Sequence, residues 1–119
     1  MPLYRIELKP SVTSADLIAR ASAAPGFREV RPGARWVARE VKFRRALKHD
    51  ERVLTMRERL ASQAIEISFH FPDIAEGWVL VLHVPGYPLE IACDENAELE
   101  ERLRVLAATL GGELLVEDE

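Results

Sequence analysis

Glu66, His83 and Glu90 are the residues of this chain whose types could do chemistry together. A histidine between two carboxylates can hold a divalent cation or move a proton. Strand register is what would gather them. Residues 64–71 alternate, with Ile65, Ile67, Phe69 and Phe71 on one side and Glu66, Ser68 and His70 on the other. Residues 78–84 are apolar on both sides, and 89–93 follow a Pro85-Gly86-Tyr87-Pro88 turn. Facing residues in an antiparallel pair point to the same side of the sheet. Matching Phe71 to Trp78 therefore sets Phe69 against Leu80, Ile67 against Leu82 and Ile65 against Val84. Across the turn, Leu82 then faces Ile91 and Leu80 faces Cys93. Glu66 and Glu90 would both oppose His83, at the roughly 4.5–5.5 Å between β-carbons of facing residues. Two carboxylates there would raise the histidine pKa. A cross-strand charge ladder is the commoner use of such a trio, and no nucleophile or second histidine joins it.

The other reactive side chains carry less. Cys93, the only cysteine, cannot form an intramolecular disulfide, and the register turns it into the core. His49-Asp50 reads as a helix junction. Trp36 and Trp78 stand outside any basic–aromatic cluster of the kind that stacks bases. Phe43-Arg44-Arg45 is too small for a nucleic-acid site, and there is no Gly-rich phosphate loop. We therefore expect no catalytic residues, no metal and no cofactor.

Several elements must position these groups. Residues 3–9 alternate Tyr4, Ile6 and Leu8 with charged residues, the period of a strand with one wet face. Thr13 or Ser14 can cap a helix reaching about Ala24, with Leu17, Ile18 and Ala21 inward. From 34 to 63 there is neither Gly nor Pro. Trp36, Phe43, Leu47, Leu54 and Ala61 recur at helical spacing, which predicts two helices meeting near His49-Asp50, with a strand over 36–43 as the alternative. Asp94 or Asn96 can cap a helix with the stripe Leu99, Leu103, Leu106 and Leu110, closed by Gly111-Gly112. Leu114 and Val116 suggest a last strand. The pattern predicts one α+β domain over 1–119: a two-layer sandwich with a mixed or mainly antiparallel sheet of four to six strands and helices packed mainly on one face. Its core should join Ile65, Ile67, Phe69, Leu80, Leu82 and Ile91 to the stripe of the last helix.

Charge divides the chain. Residues 28–60 hold eleven of the sixteen Lys/Arg against five acids, whereas 61–119 hold thirteen acids against Arg102 and Arg104. Arg outnumbers Lys thirteen to three, which suggests GC-rich coding and a bacterial source. No signal peptide or membrane span is visible, so a cytoplasmic protein is expected. An overall charge of −4 argues against general nucleic-acid binding. The densest acidic run, 94–101, offers Glu95, Glu98 and Glu101 on one side of a helix. These observations favour a non-catalytic binding or regulatory protein that meets a basic partner protein through those glutamates, as immunity proteins and antitoxins do. The alternatives are a small enzyme or metal protein built on Glu66, His83 and Glu90, and a nucleic-acid-associated regulator built on 28–59. A homodimer is compatible with any of them.

Overall fold

Capping fixes where the helices begin. Thr13 accepts from the Asp16 N–H while Asp16 accepts from the Thr13 N–H, a reciprocal box that opens α1 (Ser14–Ala23). Leu17 and Ala21, one turn apart, form its buried edge. Asn96 receives the Glu98 and Leu99 N–H groups to start α4 (Ala97–Leu110). Gly111, at φ 90°, ends that helix in a conformation that costs other residues about 1–2 kcal/mol. The structure is a computed structural model that describes residues 2–32, 35–84 and 86–118.

β1 (Pro2–Leu8) precedes α1; between α1 and α4 run β2 (Phe27–Pro32), α2 (Arg35–Ala46), α3 (Glu51–Ser62), β3 (Ile65–His70), β4 (Trp78–His83) and β5 (Leu89–Cys93), and β6 (Gly112–Asp118) is last. The six strands form one antiparallel sheet in the order β2-β3-β4-β5-β1-β6. The α+β class and the antiparallel sheet expected from the sequence are what the chain adopts, but the helices are shared between the two faces of the sheet, α1 and α4 on one and α2 and α3 on the other, instead of lying mainly on one. Residues 36–43 are helical, and Asp50 caps α3 through the Arg52 N–H at 2.9 Å. The charged strand β2 lies at the edge of the sheet and is irregular between Phe27 and Glu29. Charge and irregular pairing both protect an edge from adding further strands.

The main core lies under α1 and α4. Leu17, Ala21, Leu99, Leu103, Leu106 and Leu110 meet Tyr4, Ile6, Ile67, Phe69, Val79, Val81, Leu89 and Ile91. A smaller cluster of Val37, Val41, Leu54, Ala64 and Leu82 fastens the α2–α3 hairpin to the other side of the sheet.

Two expectations are corrected here. The β3–β4 register pairs Ile67 with Val81 and Ile65 with His83, one residue away from the register deduced above. β4–β5 is displaced in the same way, with Val81 opposite Ile91 and Leu82 opposite Glu90. A shift of one exchanges the faces of the whole strand. Val79, Val81 and His83 therefore turn toward α1 and α4, while Leu82 joins the α2–α3 cluster and Leu80 is only half-buried. Leu82 and Leu103 consequently belong to different cores. The second correction concerns the hairpin stripe. Val37 and Val41 are the buried residues of α2, and Phe43 and Leu47 are exposed. Trp36 and Ala61, also expected in that stripe, have side chains outside the described residues. The stripe assumed one phase through both helices, whereas the turn at 47–50, with Lys48 at φ 59°, resets it.

Candidate functional site

The register separates the trio deduced from the sequence. Glu66 and Glu90 both pair with Leu82, on the face toward the α2–α3 hairpin, and His83 points to the opposite face. Glu90 is committed elsewhere. Its two carboxylate oxygens accept from Arg57 of α3 at 2.9 and 3.1 Å, and Arg57 also donates to Glu40 at 3.2 Å. This forked contact ties α3 to the sheet. Glu66 is itself buried on the same face. Among the described residues, no group of three His, Cys, Asp or Glu side chains is arranged to hold a metal ion.

His83 has instead acquired a partner 69 residues away. Ser14, the first residue of α1, lies with its Oγ 3.0 Å from Nε2. The imidazole is 7% exposed, and Nδ1 is buried without a hydrogen-bond partner among the described residues. An open cleft of about 330 Å³ adjoins it, bordered by Glu7, Lys9, Val12 and Tyr87. A serine beside a histidine suggests a nucleophile and its base. The orphaned Nδ1 argues against that assignment. A base must accept at Nε2, which puts the proton on Nδ1, where nothing holds it, and a buried unpaired donor costs about 1–3 kcal/mol. With the proton on Nε2 the ring donates to Ser14 and only an acceptor is left unpaired. The pair is then a clasp that fastens the start of α1 to the end of β4. No sequence signal marks it, because neither residue belongs to a local motif.

The same geometry reverses the expected titration of His83. Burial lowers its pKa below the ordinary 6.5, and neither glutamate faces it to oppose that effect. A histidine buried in its neutral form lends stability that is complete above the unfolded-state pKa and lost as pH falls through the folded one. NMR titration should place His83 below 6.5, and unfolding free energy should decline on acidification below that value, by about 1.4 kcal/mol for each unit of depression. A His83 pKa above 6.5 would reinstate the carboxylate pairing.

Cys93 is half-buried against the main core, and burial with Asp94 nearby pushes its thiol up to about 11. It is a poor nucleophile at neutral pH. Trp78 is exposed on the sheet face away from α1 and α4, stacked on His70 at 4.4 Å with Arg28 above it.

Comparison with protein families, with curated proteins and with solved structures returns no match. The surface must carry the functional reading, and its charges are segregated. Glu95, Glu98 and Glu101 are all exposed, although Glu95 precedes the Asn96 cap instead of lying within α4. Glu95 and Glu98 form no ion pair among the described residues, and Glu101 reaches Arg104 only at 3.9 Å. Within α4, Arg104 meets Glu100 at 3.2 Å, and Arg102 binds Asp73 in the β3–β4 loop. On the far side of the sheet the basic hairpin is partly neutralised from within. Arg44 meets Glu40 at 2.9 Å, and Arg45 meets Glu51 and Glu58 at 2.8 and 2.7 Å. No helix among the described residues is long and apolar enough to cross a membrane.

Proposed function

We propose that this chain is a non-catalytic binding domain whose acidic face, centred on Glu95, Glu98 and Glu101, engages a basic surface of a partner protein in the manner of an immunity protein or antitoxin. One observation carries the reading. The acidic start of α4 and the basic α2–α3 hairpin attach to opposite faces of the sheet, so the acids are not consumed by the chain's own cations. Had the two packed together, the charge asymmetry would have been internal and silent. Exposed acids of this kind attract a basic partner over roughly a Debye length, about 8–10 Å at physiological salt, and mainly accelerate association. The enzyme alternative is weakened, because Glu66 and Glu90 lie across the sheet from His83.

Replacing Glu95, Glu98 and Glu101 together by Gln tests this. Stability should change by no more than about 0.5 kcal/mol per site, since all three are exposed. A partner recovered from the native host with the wild-type chain should associate several-fold more slowly with the variant, and the difference should shrink as salt rises. Equal association rates at low salt would overturn the proposal.

A further inference from the structure

The α2–α3 hairpin is an unfinished helical layer. Four of its large apolar side chains are exposed: Phe43 at 66%, Leu47 and Met56 each at 57%, and Val53 at 53%. They are not scattered. Along α2 the outward stripe, opposite the buried Val37 and Val41, reads Arg39 and Phe43, four apart, and Leu47 follows in the turn just beyond the helix. Along α3 the outward stripe, opposite Leu54, reads Arg52, Met56, Arg59, with Val53 beside it. Arg39, Lys42, Lys48, Arg52 and Arg59 are exposed and form no ion pair among the described residues. The hairpin as a whole carries nine Lys/Arg against four Asp/Glu over 35–62.

We propose that this face docks an amphipathic, acidic helix of a partner protein, laid along the groove between α2 and α3. Two antiparallel helices present such a groove, and a third helix inserting apolar anchors at i, i+3, i+4 and i+7 completes a three-helix layer. The apolar residues supply the anchors, and the interleaved arginines select carboxylates on either side of them. The surface is distinct from the acidic face of α4 and stands or falls independently of it.

Charge and composition favour this occupant over three others. A second copy would bring two positive hairpins together. Its own acidic helix could reach the hairpin only head to tail, a contact that does not close and would build chains. A lipid surface takes a helix whose apolar stripe is continuous with cations at its borders. Here Arg39, Arg52 and Arg59 stand within the stripes. Nucleic acid would use the cations and a stacking ring, and would leave Leu47, Val53 and Met56 exposed.

The occupant can be read directly by replacing Phe43 with the photo-crosslinker p-benzoylphenylalanine in the full chain, expressed and irradiated in the native host. The expected product is one dominant adduct to a protein, with the crosslinked peptide carrying acids and helically spaced apolar residues. Adding Arg39→Gln, Lys42→Gln and Arg52→Gln should lower its yield at least fivefold while the thermal midpoint stays within a few degrees. The same crosslinker at exposed Thr109 of α4 serves as the control. Adducts to lipid, to nucleic acid or to a second copy would overturn the proposal, as would a peptide without acids or a yield no greater than at Thr109. Loss of the α4 interaction in the Glu→Gln triple variant should leave this adduct unchanged.

Discussion

Leu103→Ala should lower the unfolding free energy by about 2–5 kcal/mol, the range for truncating a leucine inside a packed core. Leu103 is wholly buried in the middle of α4, among the residues that fill the space between that helix and the sheet. Backbone and sheet hold their places around it, so the removed volume cannot collapse fully and a cavity term adds to the lost transfer energy. Leu82→Ala should cost less, because its cluster is small and lies beneath a two-helix layer. The two changes together report the register. With Leu82 and Leu103 on opposite sides of the sheet, their effects should add to within about 0.5 kcal/mol, as for residues without shared partners. Leu103→Ala with Val81→Ala should depart from additivity, since both line the main core. A coupling above about 1 kcal/mol between Leu82 and Leu103, measured by denaturant unfolding of the four chains, would mean that the faces of β4 are assigned wrongly.

That assignment is also the point at which the sequence ceased to be legible. Elements with a single wet face and a chemical stop could be read closely. β5 occupies the expected 89–93, the leucine stripe and Gly111 delimit α4, and the caps of α1 and α4, Thr13 and Asn96, are each one of the two residues offered for them. β4 has no wet face over 79–82, so alternation could not choose between Val79/Val81 and Leu80/Leu82. Matching Phe71 to Trp78 selected the leucines, and the fold uses the valines. The candidate trio depended on that choice and dissolved with it. Its replacement, Ser14 with His83, joins residues at distant points of the chain through the packing of α1 on the sheet, which no local pattern encodes. The stripe on the hairpin failed for a related reason. Phe43 and Leu47 are as apolar as a core demands, and only their phase relative to Val37 and Val41 turns them outward.

What settles the parity of β4 is the connection before it, which makes Gly77 the second position of large expected effect. The chain leaves β3 at His70 and enters β4 at Trp78 through a tight loop in which the Phe71 N–H bonds the Gly77 carbonyl at 2.9 Å and the Ile74 N–H bonds the Phe71 carbonyl at 3.1 Å. A β-carbon on Gly77 would stand 2.2 Å from the Phe71 carbonyl oxygen and 2.8 Å from that of Ile74. Both are backbone atoms, so no side chain can rotate away, and the loop itself must open. Gly77→Ala should therefore cost at least the roughly 1–3 kcal/mol typical of overpacking. Gly86→Ala supplies the comparison. Gly86 sits at φ 88° with open space where a β-carbon would go, so that substitution carries only the left-handed penalty of about 1–2 kcal/mol. Urea unfolding of both variants should rank Gly77→Ala as the more damaging, with altered backbone amide shifts along β3 and β4. Were Gly77→Ala no worse than Gly86→Ala, the close approach that fixes the hairpin length would be wrong. The residue-by-residue pairing of Ile67 with Val81, and with it the separation of His83 from Glu66 and Glu90, would then need to be redrawn.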